Sequence, residues 1–175
     1  EGNGVFFIEI KKECGMNKAV IKDIVLKQQI QFREGALEFL DLLSRNNIPI
    51  LILSAGLGDI IQELLKSESK LTSNLHLISN FYIFDEQGIV IGKKNKNFIH
   101  TFNKNEVEVK KTPYYNEIKQ RKNVLLLGDS LGDLGMTEGI EHDCIIRIGF
   151  LNENKEELLE EYMGTFDMVV TDDGD

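Results

Sequence analysis

Cysteine and proline are each present only twice in this 175-residue sequence. Cys14 and Cys144 stand 130 positions apart without metal-ligand spacing, which disfavours a disulfide framework or a zinc cage. Two free structural thiols in a reducing compartment are the expected state. The two prolines fall at element borders rather than in a hinge, and no internal repeat or low-complexity linker breaks the chain. No apolar run approaches the roughly 20 residues that a membrane span needs. The N-terminus also lacks a basic region followed by an apolar stretch and a cleavage site. A soluble, cytoplasmic, monomeric protein without a membrane partner is therefore expected. Positive charge is short as well: 20 basic against 29 acidic residues give a net charge of −9. That balance opposes a nucleic-acid polymer but permits a small phosphorylated substrate, provided a cation is recruited locally.

What is present reads as an α/β chain with one main domain. A helical face over Gly35 to Asn47 (Ala36, Leu37, Phe39, Leu40, Leu42, Leu43) precedes Pro49 and the strand-like run Ile48 to Leu53. Ser54-Ala55-Gly56 follows, and then a helical pattern through Ile60, Ile61, Leu64 and Leu65, so the serine is expected at a strand end with the next amides at a helix N-terminus. Leu75 to Phe84, the turn Asp85-Glu86-Gln87-Gly88, and Ile89 to Ile91 predict two strands in an antiparallel hairpin. Thr112-Pro113 suits the start of a helix to about Arg121. A buried strand at Val124 to Leu127, a helix after Leu131, a strand at Cys144 to Ile148, a helix at Asn154 to Met163 and a strand at Met168 to Val170 complete the pattern. Strands alternating with helices predict a doubly wound, mostly parallel, Rossmann-like sheet with a β-hairpin insertion. Both ends read as cut. The chain finishes on a strand and Asp-Asp-Gly-Asp with no covering helix, and the helical stretch from Met16 to Phe32 comes before the first parallel strand. Residues 1–32 are thus expected to be the remnant of a helical cap, and residues 33–175 a core lacking its first strand.

Three places carry chemistry, all expected at the carboxyl ends of strands, where open α/β sheets bind ligands. In Gly128-Asp129-Ser130-Leu131-Gly132-Asp133 an apolar strand delivers two aspartates four positions apart, with glycines that let the backbone turn closely. Hard carboxylate oxygens suit Mg²⁺, which takes one or two carboxylates together with waters and phosphate oxygens. The competing reading is an acidic turn capping the following helix. Ser54-Ala55-Gly56 forms either an anion pocket for phosphate or an ordinary cap, and the spacing leaves both open. Lys104 is a cation that could neutralise phosphate charge, and composition alone does not separate it from Lys93, Lys94, Lys96, Lys110 and Lys111. His76, His100 and His142 have no partner at catalytic spacing, and the acidic run Glu153 to Glu161 reads as the solvated face of a helix.

Taken in order, a strand ending in Ser54-Ala55-Gly56, a later lysine and LLLGDSLGD resemble motifs two, three and four of the haloacid dehalogenase superfamily. More closely, IPILILSAGLGDII, SNFYIFDEQGIVIGKK, IHTFNKNE, NVLLLGDSLGDLGMTEG and IRIGFLNENKEELLEEYMGTFDMVV resemble the cytosolic 5'-nucleotidase III, or pyrimidine 5'-nucleotidase, family over roughly residues 14 to 170. The resemblance implies a haloacid dehalogenase-like fold and Mg²⁺-dependent hydrolysis of (pyrimidine) nucleoside 5'-monophosphates. By the same resemblance Ser54, Ala55 and Lys104 would bind the substrate phosphate, and Lys104 would also hold the nucleophile in place. Asp129 would ligate Mg²⁺, and Asp133 would support the lysine and the metal's water shell. The family's nucleophile, the first aspartate of Asp-x-Asp-x-Thr, does not occur in residues 1 to 53. Little or no phosphatase activity is therefore expected of the 175 residues by themselves. A non-catalytic nucleotide- or phosphate-binding remnant, or a small-metabolite phosphatase of the same superfamily, are the alternatives.

Overall fold

The computed structural model describes residues 15–27, 30–94, 99–100, 109–110, 112–138 and 141–171. The chain forms two compact units, residues 1–99 and 100–175, and each has its own parallel strands. No helix among the described residues is long and apolar enough to cross a membrane.

In the first unit, α1 (Lys18–Leu26) starts at Asn17, whose side-chain oxygen accepts the amides of Ala19 and Val20 at 2.8 and 3.0 Å. Ile21 and Val25, one helical turn apart, are its buried positions. A bridge from Asn17 to Ile89 ties this start to the hairpin described below. Helix α2 (Ala36–Arg45) follows Gly35, which has φ +73°, a conformation glycine adopts without penalty. The chain then enters β1 (Ile50–Leu57), passes through α3 (Gly58–Ser67) and returns as β2 (Leu75–Asn80), parallel to β1. This β–α–β unit is the arrangement the periodicity predicts.

The run Leu75 to Phe84, expected as a single strand, is in fact two. β2 ends at Asn80, and the Tyr82 amide donates to the Asp59 carboxylate at 2.9 Å in the first turn of α3, which takes the chain out of the β1–β2 sheet. β3 (Tyr82–Phe84) and β4 (Val90–Lys93) then form the expected antiparallel hairpin. Its turn is closed by the Asp85 carboxylate, which accepts the amides of Gln87 and Ile89 at 3.0 and 2.7 Å.

The second unit is a three-stranded parallel sheet in the order β5 (Asn123–Gly128), β6 (Cys144–Leu151), β7 (Met168–Thr171). A 3₁₀ helix (Leu131–Thr137) follows β5, and α5 (Lys155–Met163) joins β6 to β7. Leu151, Tyr162 and Phe166 form the core of this unit, with Leu131, Leu134, Leu158 and Val169 packed against them. These residues cover one face of the sheet. On the other, Leu125, Ile146 and Met168 are 47%, 47% and 58% exposed, so the strand expected to be buried throughout alternates instead. Two further expectations are corrected. The helix after Leu131 is 3₁₀, as Gly132 and Gly135 weaken an α-helix. The helix over Thr112 to Arg121 shrinks to α4 (Tyr115–Ile118), and the Thr112 hydroxyl donates to the Val109 carbonyl rather than capping it. Cys144 is exposed and free.

Burial pushes the Tyr82 and Tyr114 phenols up to about 12, helped by the Asp59 carboxylate at Tyr82 and by Glu117 at Tyr114, where Arg121 opposes it. A raised value in the folded state means that the neutral phenols contribute fully below pH 10 and lose their contribution as pH climbs towards about 12. Melting curves between those limits should show wild type losing stability faster than a Tyr82→Phe/Tyr114→Phe double variant. Parallel pH profiles would contradict this.

Candidate active site

The candidate site residues fall in both units. In the first, Ser54, Ala55 and Gly56 lie at the end of β1, where strand pairing becomes irregular. Leu53 pairs with Ile78 and Leu57 with Asn80, so these three residues stand opposite Ser79 alone. The bulge frees this backbone from the sheet ladder. Its geometry is then set by buried polar side chains: the Ser79 hydroxyl donates to the Gly56 carbonyl at 2.9 Å, and the Asn80 amide donates to the Ala55 carbonyl at 2.8 Å. Asn80 also exchanges two hydrogen bonds with the backbone of Ile99, at 2.8 and 2.9 Å. Asn80 is 5% exposed, and its two bonds with Ile99 are shielded from competing water.

Ser54 is not a helix cap. Its hydroxyl oxygen accepts the Gly56 amide at 3.1 Å, and α3 begins only at Gly58, with Leu57 at the cap position. Ser54 and Ala55 are half-buried and Gly56 is exposed, so the turn presents small residues and backbone at the surface.

In the second unit Asp129 and Asp133 share one loop but sit in opposite environments. Asp129 is exposed, whereas Asp133 is 2% exposed. One carboxylate oxygen of Asp133 accepts the amides of both Asp129 and Ser130, at 3.0 and 3.1 Å. The second of these bonds is the backward reach of a capping box onto the residue that starts the 3₁₀ helix. Gly128 makes room for it: a Cβ there would lie 2.7 Å from the Asp133 Cβ. Gly128 pairs across the sheet with Gly149, where a Cβ would lie 2.7 Å from the Phe166 ring. Two adjacent glycines thus let Asp133 and Phe166 rest directly on the sheet.

From α5, the Tyr162 hydroxyl donates to the Asp129 carbonyl at 2.8 Å. Burial raises the Tyr162 phenol above its ordinary value, and the carboxylates of Asp129, Asp133 and Glu161 add to the effect, so it remains a donor at neutral pH. Lys104, expected to hold phosphate, lies outside the described residues.

The exposed Asp129 carboxylate is a hard oxygen donor of the kind Mg²⁺ takes singly or in pairs alongside phosphate and water. Among the described residues no group of three or more His, Cys, Asp or Glu could hold a metal. A single carboxylate of this kind suits a cation that completes its shell with waters and other oxygen donors, and the described residues offer no closed protein cage. Sequence reasoning missed Ser79, Asn80 and Tyr162. A polar pair ending the apolar run LHLISN was a signal for the first two. The spacing Leu158, Tyr162, Phe166 was a signal that Tyr162 faces inward rather than lying on the solvated side of its helix.

The fold is that of the haloacid dehalogenase-like phosphatases. A crystal structure of a phosphoserine phosphohydrolase-like protein from Francisella tularensis shares it, with TM-score 0.58 at 17% identity over 88% of this chain and 66% of that one. Within that class the chain belongs to the pyrimidine 5'-nucleotidase (UMPH-1) family, which it matches over residues 8–175. It is 39% identical to the 7-methylguanosine phosphate-specific 5'-nucleotidase of Mus musculus over 90% of this chain and 53% of the relative. The Xenopus laevis form A of that enzyme is 40% identical over 92% and 56%. The crystal structure of cytosolic 5'-nucleotidase IIIB bound to cytidine superposes with TM-score 0.80 at 36% identity, covering 91% of this chain and 53% of that one. The chain spans about half the length of the curated relatives it matches.

Removing the Asp133 carboxylate would leave the amides of Asp129 and Ser130 without their side-chain acceptor. Asp133→Ala should cost about 3 kcal/mol in urea unfolding. Gly128→Ala, which forces the added methyl against Asp133, should cost roughly 1–3 kcal/mol. A stability within 0.5 kcal/mol of wild type, about the scatter of neutral surface changes, would rule out either contact as described.

Proposed function

We propose that this chain is the phosphate- and metal-handling part of a Mg²⁺-dependent 5'-nucleotidase that hydrolyses nucleoside 5'-monophosphates in the cytoplasm. The observation that carries this reading is the division of labour at the end of β5: Asp133 is buried and engaged with its own loop, while Asp129 is presented to solvent on a fixed backbone. Asp129 would hold the cation, and Asp133 would fix the loop and support Lys104 and the metal's waters. When bound, Mg²⁺ supplies positive charge for a phosphoryl group, which a chain of net charge −9 otherwise lacks. Ser54 and Ala55 would bind the phosphate through the hydroxyl and the backbone of the bulged turn, with Lys104 as a second source of charge.

Pyrimidine nucleotides are supported by the family's name and by the cytidine bound to cytosolic 5'-nucleotidase IIIB. The 7-methylguanosine specificity named for the mouse and Xenopus relatives makes that nucleotide the competing substrate. Residues 1–32, which include α1, are read as cap and residues 33–175 as core, and the protein as a monomer. The 175 residues hold no Asp-x-Asp-x-Thr, which favours as second reading a nucleotide- or phosphate-binding protein without turnover.

The test is phosphate release from cytidine, uridine and 7-methylguanosine 5'-monophosphates by the longest encoded protein that contains this chain, with Mg²⁺ or EDTA. Asp129→Asn should lower turnover by about 10²–10³. Turnover indifferent to EDTA and to Asp129 would overturn the metal reading. Binding of the same nucleotides without any turnover would decide for the second reading.

A further inference from the structure

The ring of Tyr162 and its hydroxyl do different things. The ring belongs to the core, 4% exposed, with its centroid 5.2 Å from that of Phe166, and a phenylalanine would fill the same space. The hydroxyl needs a partner when buried, and among the described residues it has the Asp129 carbonyl, 33 residues away in sequence. Strand pairing of β5 with β6 ends at Gly128 and Gly149, so Asp129 is the first residue beyond the ladder. Both of its backbone polar atoms are nevertheless engaged: the amide by Asp133 from the 3₁₀ helix, the carbonyl by Tyr162 from α5. The peptide planes on either side of Asp129 are thereby fixed by two separate elements, and its exposed carboxylate departs from a clamped backbone.

We propose that Tyr162 is a positioning residue for Asp129: its hydroxyl, through the Asp129 carbonyl, holds the backbone from which the Asp129 carboxylate serves a divalent cation. This rests on the reading of Asp129 as a magnesium ligand. A merely structural role would also satisfy the carbonyl, but it would lower stability without a specific effect on metal affinity.

The experiment is an amide-resolved NMR titration of the 175-residue chain with MgCl₂, paired with melting curves recorded without metal. In wild type the amides from Asp129 to Gly132 should shift, and Asp129→Asn should abolish those shifts. Tyr162→Phe should weaken the apparent affinity about tenfold, within the range typical for lost supports of metal ligands, while keeping the shape of the melt. Phe166→Leu, which loosens the same core but keeps the hydroxyl, should lose stability and retain wild-type affinity. Loop shifts absent in wild type, or unaltered by Asp129→Asn, would overturn the magnesium reading and this inference with it. Loop binding that depends on Asp129 but is equal in Tyr162→Phe and wild type would overturn this inference alone, as would an equal loss of affinity in Phe166→Leu. Should Tyr162→Phe not fold, the Tyr162 ring signals of the wild type decide: coupling requires them to move with the same Mg²⁺ midpoint as the Asp129 amide, and unmoved signals refute it.

Discussion

The Asp133 carboxylate sits almost wholly buried against the amides of Asp129 and Ser130, and the loop after β5 is arranged around it. A buried carboxylate is tolerable only where donors replace the water it has left. The two amides do so, and in return they lose the freedom to follow any other path out of β5. Gly128 is required beneath it because no side chain fits there, and the 3₁₀ helix is capped at Ser130, where the carboxylate reaches back. Leu131 and Leu134 then drop into the core beside Tyr162, which secures the carbonyl side of Asp129. One acidic side chain thus sets the course of the loop that exposes the other.

The first unit solves a similar problem with neutral groups. A bulge at Ser54–Gly56 releases backbone from the parallel ladder, which would be costly without replacement partners, and Ser79 and Asn80 supply them from the neighbouring strand. At the Ser54 turn and at the Asp129 loop the residues that meet solvent are small or acidic, and the residues that hold them in place are buried and polar. Each arrangement separates exposed groups from the residues that support them, so substitutions in the supporting residues act on geometry as well as on stability.

Much of this was legible in the chain. The alternation of apolar runs with helical patterns gave the α/β class and most of the elements, including the hairpin after Phe84 and the acidic helix before Met163. The spacing of Asp129 and Asp133 after an apolar run marked their loop, and the order of the Ser54, lysine and aspartate motifs carried the family resemblance, which the match over residues 8–175 establishes. Less legible were features that depend on contacts distant in sequence. The run Leu75 to Phe84 has one composition but divides at Phe81, because Asp59 draws the Tyr82 amide away. Ser54 looked equally like a cap or an anion binder, and only the start of α3 at Gly58 shows that it caps nothing.

By itself the sequence determined which residues are apolar, where the glycines allow a turn, and that phosphate could be held only with imported or local positive charge, since these are properties of composition and spacing. The tertiary structure decided which aspartate is buried and which is presented, that Asn80 and Tyr162 hold the carbonyls of Ala55 and Asp129, and that Gly128 and Gly149 lie side by side. The reason is physical: burial and hydrogen-bond partnership are relations between residues 4 to 33 positions apart in these cases, fixed only once the strands pair and α5 packs on the sheet. Two aspartates of identical chemistry therefore take different parts because one lies over a glycine in the first turn of the 3₁₀ helix and the other just beyond the end of a strand, facing water.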